Sequence, residues 1–189
     1  MAKILKLGAV LFIITTVTGL ILGGVYTMTL EPISAAKQKE KMAALAETLP
    51  KASDFQVVDS QPNNSIIKEV NKGSANGDTV GYNITVTPKG YGGLIEIVVG
   101  IDNKGKLIGI KILSHTETPG LGAKAAEPAF SDQFEQKNVD SVVITKTKPA
   151  AENEVQAISG ATITSRAVAD GVNTALEYWA KNLKGEGNK

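Results

Sequence analysis

The chain has 189 residues, with 20 basic and 19 acidic side chains and a net charge of +1. One soluble domain plus an anchor fits this length, whereas two full-sized domains do not, and the lack of a basic stripe argues against nucleic-acid binding. There is no cysteine, and His115 is the single histidine. Thiolate ligation of metals or clusters and multi-histidine haem sites are therefore not available within this chain, so a redox protein of this composition needs an organic cofactor.

The first predicted element is a transmembrane anchor over residues 1–30. Residues 7–30 contain no charged side chain and are rich in Leu, Ile and Val, and about 20 helical residues cross the hydrocarbon core of a bilayer. Lys3 and Lys6 precede the span, which predicts a cytoplasmic N-terminus and a domain outside. A cleaved signal peptide is the alternative, because residues 34–36 read Ser-Ala-Ala, but the apolar stretch is longer than a typical signal core.

Residues 31–50 predict a juxtamembrane helix or linker. Pro32 suits the first turn of a helix, and Pro50 is expected to end it. The apolar stripe of this segment is loose, so a solvated stalk accounts for it. We assign the remaining residues, 51–189, to one domain.

Five short segments rich in Val, Ile and Thr open that domain, and several of them alternate with polar residues, which predicts strands. Residues 103–105 read Asn-Lys-Gly and predict a hairpin turn between the last two. The five predicted strands are residues 55–59, 66–70, 80–87, 94–101 and 107–113.

Helices dominate the rest of the predicted domain. We predict a short helix over residues 122–134, interrupted near Pro128, a strand over 142–145, and a terminal helix over 164–183. Strands followed by segregated helices predict an α+β domain with antiparallel strands behind a single membrane helix. The terminal helix carries one apolar face at helical spacing, formed by Val168, Val172, Leu176, Trp179 and Leu183.

Residues 159–166 read Ser-Gly-Ala-Thr-Ile-Thr-Ser-Arg and precede or open the terminal helix. A helix N-terminus presents unpaired N–H groups and the positive end of the helix dipole, which favours phosphate. Arg166 is the only arginine of the chain and is well suited to holding a phosphate. The alternative is simple helix capping by Thr164 or Ser165, with no ligand.

Residues 115–122 read His-Thr-Glu-Thr-Pro-Gly-Leu-Gly and follow a predicted strand. Pro119 and two glycines can bend this loop and bring backbone amides close to a flat ligand. An ordinary strand-to-helix connection is the alternative, and His115 by itself predicts a structural or surface histidine.

Together these segments resemble the signatures of FMN-binding domains. The Ser-Gly-Ala-Thr run at 159–162 looks like the flavinylation site of that family, and the loop at 117–122 and the Gly-Tyr-Gly-Gly run at 90–93 are similar to further signatures. Such domains occur in the G subunit of the Rnf electron-transport complex and in the C subunit of the sodium-pumping NADH:quinone oxidoreductase. The resemblance covers essentially the whole chain, including the single N-terminal span.

The resemblance implies one FMN per chain, joined by a phosphoester to Thr162 and installed by a separate flavin transferase. Family members often have an acidic residue six positions before the acceptor, where this chain has Gln156, with Glu154 two residues earlier. The first segment is expected to surround the phosphate and the second to flank the isoalloxazine, with Leu121 as an apolar contact. Besides Thr162, the expected cofactor-binding residues are Ser159, Gly160, Ala161, Thr164, Ser165 and Arg166 in the first segment, and Glu117, Thr118, Pro119, Gly120, Leu121 and Gly122 in the second.

The short chain favours a G subunit, whose expected partners are a flavinylated D subunit, the A and E membrane subunits, and cytoplasmic subunits that oxidise ferredoxin and reduce NAD. The chain would be an enzyme only as a subunit of this redox-driven ion-translocating complex, because no residue suggests catalysis on a substrate. The expected location is the cytoplasmic (inner) membrane, with the FMN domain extracytoplasmic. Three alternatives stay open: the C subunit of the sodium pump, a free-standing extracytoplasmic flavoprotein, and a non-redox anchored binding or assembly module.

Overall fold

A computed structural model describes residues 1–60, 62 and 64–185. The chain divides into two compact units, residues 1–41 and 42–189. The first unit is one helix, and the second is an α+β domain, as the sequence predicts.

Helix α1 runs from Ala2 to Thr48 without interruption. Its apolar segment has a mean hydropathy of 2.2 over 18 residues and is long enough to cross a membrane by length and composition. The sequence predicted Pro32 in the first turn of a second helix, and this is wrong, because Pro32 lies inside α1. A proline removes one backbone hydrogen bond, but good helix formers such as Ala, Lys and Glu follow it and continue the helix.

The core of the second unit is a five-stranded antiparallel sheet in which each strand pairs with its neighbour in sequence. Each of the five predicted strands is present, with shifted ends. The largest shift is in the second strand, which continues to Ala75 and turns through Asn76 and Gly77, both at positive φ. The strands are β1 Asp54–Asp59, β2 Ile67–Ala75, β3 Asp78–Val86, β4 Glu96–Asp102 and β5 Leu107–Ser114.

Short elements follow the sheet. The predicted interrupted helix is confirmed as a 3-10 turn at Gly122–Ala126, helix α2 at Pro128–Ser131 and a second 3-10 turn at Asp132–Phe134. Strand β6, Val143–Thr145, is confirmed, and it pairs in parallel with β7, Glu154–Gln156, which the sequence did not predict. Only the central residue of β7 is apolar, which is too weak a pattern to predict a strand.

Helix α3 spans Thr162–Tyr178 and continues into a π-helical turn, Trp179–Leu183. It begins two residues earlier than predicted, and this makes Thr162 its first residue. The predicted apolar face is confirmed, because all five of its side chains are buried in the main core with the inner residues of β2 to β5. An added Cβ at Gly171 would lie 2.9 Å from Pro88 Cγ, so α3 packs closely on the chain that leaves β3.

The last turn of α1 belongs to the second unit and covers part of the sheet. Leu45 is buried against Val98, and Asn83 of β3 donates a hydrogen bond to Thr48 Oγ1 at 2.8 Å. This turn leaves the opposite face of the sheet to α3. The loops that follow β3 and β5 and the segment that leads into α3 together form the candidate site.

Candidate functional site

The Gly-Tyr-Gly-Gly loop, residues 90–93, is tightly folded after β3. The N–H of Gly90 donates to the carbonyl of Gly93 at 2.7 Å. An added Cβ at Gly92 would collide with the carbonyl of Thr116, so glycine permits the close approach of this loop to the chain after β5. Tyr91 projects from the loop and is 73% exposed.

The second loop, residues 115–122, makes a tight turn after β5. The carbonyl of Thr118 accepts hydrogen bonds from the N–H groups of Leu121 and Ala123, each at 3.2 Å, and Gly120 has a φ of +76°. His115 Nδ1 accepts the N–H of Glu117 at 3.3 Å, which agrees with the structural role predicted for this histidine.

The third segment turns sharply into α3. Gly160 has a φ of +77°, and Ala161 occupies the N-cap position, where it provides no side-chain cap. The alternative in which Thr164 or Ser165 caps the helix is therefore contradicted, because both residues lie within the helix. Among the described residues, no side chain caps α3, so its first turn keeps the partial positive charge of unpaired N–H groups.

The three segments meet at the carboxylate of Glu117, which is 6% exposed. Its Oε1 accepts the N–H of Gly92 at 2.9 Å, and its Oε2 accepts the hydroxyl of Thr164 at 2.6 Å. An added Cβ at Gly90 or Gly122 would collide with this carboxylate. Glu117 therefore fills a narrow slot between two glycines and connects all three segments.

A cleft of about 550 Å³ opens where the segments meet. This volume is within the range of about 300–1,000 Å³ that is usual for sites of small molecules and cofactors. Apolar side chains line its mouth, and the start of α3 forms one wall. The lining residues are Tyr91, Glu117, Thr118, Leu121, Gly122, Gly160, Ala161, Thr162, Ile163 and Thr164.

Eight of the residues predicted from the two segments line this cleft, and five do not. Pro119 and Gly120 are exposed on the outer side of the turn, and Ser159 is exposed before the helix. Ser165 is fully buried, and its Oγ accepts the N–H of Ile158 at 3.0 Å. Arg166 is exposed on the next turn of α3, four residues after Thr162.

The hydroxyl groups of the Ser-Gly-Ala-Thr segment differ in accessibility. Those of Thr164 and Ser165 are buried and donate hydrogen bonds within the protein, to Glu117 Oε2 and to the carbonyl of Ala161. Thr162 is partly exposed and lines the cleft, whereas Ser159 is exposed outside the lining. Thr162 is thus the hydroxyl residue of this segment that combines partial exposure with a place in the cleft.

Two lining residues, Tyr91 and Ile163, were absent from the predicted site. Ile163 is 56% exposed beside Thr162, and Tyr91 is a strongly exposed lining residue. The Gly-Tyr-Gly-Gly run was recognised as a motif, so its only aromatic residue was the available signal for Tyr91. An exposed Ile in the first turn of a helix gives no such signal from sequence alone.

The domain that carries this cleft is similar to known flavin-binding domains. Residues 90–177 match the FMN-binding domain family. The fold is similar to that of the C subunit of the Na(+)-translocating NADH-quinone reductase from Parabacteroides distasonis, with a TM-score of 0.62 and 19% identity over 82% of this chain and 95% of that one. The Shewanella oneidensis NqrC structure gives a TM-score of 0.58 at 18% identity, over 77% and 92% of the two chains. The family match over residues 90–177 and the shared fold together identify an FMN-binding domain in this chain.

Relatives with higher identity extend over almost the whole chain. The G subunit of the Na(+)-translocating ferredoxin:NAD(+) oxidoreductase complex of Acetobacterium woodii is 36% identical, over 93% of this chain and 91% of the relative. The proton-translocating counterpart of Clostridium ljungdahlii is 38% identical, over 85% and 83%, and the G subunit of the ion-translocating oxidoreductase complex of Methanosarcina acetivorans is 32% identical, over 93% and 94%. The chain therefore belongs to the family of G subunits of ion-translocating oxidoreductase complexes.

Proposed function

We propose that this chain is the flavin-carrying electron-transfer subunit of a membrane-bound, ion-translocating ferredoxin:NAD oxidoreductase complex, with FMN joined through its phosphate to Thr162. One observation carries the site assignment: the partly exposed Thr162 is the first residue of α3 and lines the cleft. The neighbouring Thr164 and Ser165 are buried and already hydrogen-bonded.

The residues present fit an FMN. The uncapped first turn of α3 suits a phosphate, since its N–H groups and the helix dipole both favour an anion. Leu121, Ile163 and Tyr91 offer apolar and aromatic surface at the mouth for a flat ring. When bound, FMN supplies the electron chemistry, and the protein supplies binding and orientation.

Attachment would form one bond from Thr162 Oγ1 to the phosphorus of the FMN group and break the phosphorus–oxygen bond that joins this phosphorus to a leaving group on the flavin donor. The hydroxyl proton of Thr162 and the leaving group would depart together. The product gains the mass of FMN less one water. A phosphoester keeps FMN in place even where the surrounding solution contains no free flavin. We propose that a flavin transferase supplies the FMN group, since the one carboxylate among the described lining residues, that of Glu117, already accepts two hydrogen bonds within the protein.

The membrane assignment rests on α1 and on the family. The apolar part of α1 is long enough to span a bilayer once, and the relatives are named as subunits of ion-translocating complexes. We propose a cytoplasmic N-terminus, because Lys3 and Lys6 precede the span, and therefore an extracytoplasmic FMN domain. The proposed partners are the D, A and E membrane subunits and the cytoplasmic redox subunits of the same complex.

Intact and peptide mass spectrometry of the chain from its native membrane tests this proposal. The expected result is a gain of one FMN less one water on the peptide that contains Thr162. Thr162→Val should remove the modification and leave the fold intact, whereas Thr174→Val, a matched change on α3 away from the cleft, should keep it. An unmodified Thr162 peptide in the native protein would rule out covalent flavin and favour an anchored binding or assembly subunit.

A further inference from the structure

We propose that Glu117 is a positioning residue for the bound flavin, acting through the two groups that its carboxylate holds. This inference deepens the proposed function and rests on the attachment of FMN to Thr162. Its starting point is that one buried side chain joins the attachment helix to the Gly-Tyr-Gly-Gly loop, whose Tyr91 also lines the cleft.

The first link fixes the attachment point. Thr164 lies in the first turn of α3, two residues after Thr162, and its hydroxyl donates to Glu117 Oε2 at 2.6 Å. Thr164 is 1% exposed, so this hydrogen bond is shielded from water. A hydrogen bond to a carboxylate is shorter and stronger than one between neutral groups, and here it ties the first turn to the loop after β5.

The second hydrogen bond of Glu117 holds the loop that carries Tyr91. Gly92 donates its N–H to Glu117 Oε1 at 2.9 Å, and its neighbour Tyr91 lines the mouth of the cleft. Tyr91 itself is 73% exposed and has little packing of its own. The position of its ring therefore depends on the backbone of its loop, and Glu117 holds that backbone at Gly92.

The narrow slot between Gly90 and Gly122 restricts the Glu117 carboxylate to the position in which it accepts both hydrogen bonds. Gly90 lies beside Oε1 and Gly122 beside Oε2, and an added Cβ at either position would collide with the carboxylate. None of the described ion pairs includes Glu117. Burying a carboxylate without a cation costs free energy. In this slot both carboxylate oxygens accept hydrogen bonds, from Gly92 and Thr164, and so orient groups of the cleft.

Substitutions of Glu117 and Thr164 should therefore disturb the orientation of the flavin in an order that a general loss of stability would not produce. Glu117→Gln can keep both links, because the amide oxygen accepts the N–H of Gly92 and the amide nitrogen can donate to Thr164. Thr164→Ser also keeps its hydroxyl. Glu117→Ala removes both links, and Thr164→Val removes one without changing the shape of the side chain.

The test uses the full-length chain, produced together with its flavin transferase and purified in detergent. Visible-region circular dichroism and fluorescence anisotropy decay of the attached flavin report how firmly the ring is oriented. In both Glu117→Ala and Thr164→Val, FMN should remain on Thr162. The ratio of oriented to mobile flavin should fall about tenfold in Thr164→Val, as expected for loss of one charge-assisted hydrogen bond, and further in Glu117→Ala, which loses both. Glu117→Gln, Thr164→Ser and the control Thr174→Val should retain the wild-type signals.

Several outcomes would overturn the inference. Wild-type flavin signals in both Glu117→Ala and Thr164→Val, with FMN on Thr162, would show that the carboxylate does not position the ring. Equal losses in Thr164→Ser and Thr164→Val would show that the hydroxyl is irrelevant. If Thr164→Val failed to fold while Thr164→Ser folded, the contact would serve the fold and not the flavin. A wild-type chain without FMN would instead overturn the proposed function.

Discussion

Ser165 Oγ accepts the backbone N–H of Ile158 at 3.0 Å and donates to the carbonyl of Ala161 at the same distance. One fully buried hydroxyl thus closes the loop that leads into α3. The sequence predicted Ser165 beside the phosphate, but in the structure it lies on the inner side of the helix and outside the cleft lining. Its effect is to present Gly160 and Thr162 at the surface.

Ser165→Ala should therefore destabilise the domain without removing the flavin. It would leave the N–H of Ile158 without its hydrogen bond, which costs about 1–3 kcal/mol of unfolding free energy. Thermal unfolding would detect this as a lower Tm, at about 2–4 °C per kcal/mol for a domain of this size. Mass spectrometry of the same sample should still find FMN on Thr162.

Ser131→Ala is the matched control, because the Ser131 hydroxyl also donates to a backbone carbonyl but is solvent-exposed. Its Tm should be close to that of the wild type. A normal Tm combined with lost flavin in Ser165→Ala would restore the phosphate role predicted from the sequence.

Gly122→Ala should disrupt the slot around Glu117. The added Cβ would lie 2.7 Å from Thr164 Oγ1 and 2.9 Å from Glu117 Cβ, and such overpacking typically costs about 1–3 kcal/mol. Gly109→Ala is a suitable control, since a Cβ there meets only Glu135 Cγ, at 3.7 Å. Denaturant unfolding of both variants checks the prediction, and equal stabilities would mean that the slot relaxes freely.

Arg166→Gln should slow the attachment of FMN. Thr162 and Arg166 are four residues apart on α3 and so share a face, and helical side chains lean toward the N-terminus, where the phosphate is proposed to bind. Loss of one charge-assisted hydrogen bond should reduce the rate about tenfold. The rate is measured by the appearance of flavin mass on flavin-free chain mixed with the transferase.

Lys181→Gln is the control for this charge change, because Lys181 is exposed in the last turn and pairs with Glu177. Arg166→Lys should fall between Arg166→Gln and the wild type, as Lys keeps the charge but not the planar fork of donors. Identical rates in Arg166→Gln and the wild type would remove Arg166 from the site.

The elements that sequence predicted well have strong local patterns. The five strands alternate or run in β-branched residues, and the apolar face of α3 repeats at helical spacing, so both follow from side-chain type. The errors arise where the conformation of a segment depends on the residues around it or on another segment. Pro32 was expected to begin a helix, but favourable residues on both sides continue α1 through it. The short strand β7 pairs in parallel with β6, a contact that its own residues do not indicate.

The site was likewise predictable where a local sequence pattern marks it. The motifs identified the two segments, residues 115–122 and 159–166, and eight of the predicted residues line the cleft. Sequence could not tell which hydroxyls face inward, because that depends on where α3 begins. It also could not show that Glu117 would bond to Gly92 and Thr164, 25 and 47 residues away in the chain.

The boundary of the FMN domain gives a further prediction. The sequence placed the boundary at residue 51, but Leu45 and Leu49 are 1% and 2% exposed in the second unit, and Asn83 bonds to Thr48. A fragment of residues 42–189 should therefore fold and accept FMN from the transferase. A fragment of residues 51–189 would lose two buried leucines, at about 1.5–3 kcal/mol each, and should unfold at a markedly lower temperature.

Leu45→Ala and Leu49→Ala in the longer fragment separate this packing effect from chain length. Each should lower the unfolding free energy by about 2–5 kcal/mol, whereas Met42→Ala, at a 43% exposed side chain, should change it little. All the described residues that line the cleft lie between 91 and 164, so each fragment that folds should still be flavinylated. Equal Tm values for the two fragments would show that the last turn of α1 contributes nothing to the domain and that the boundary predicted at residue 51 is adequate.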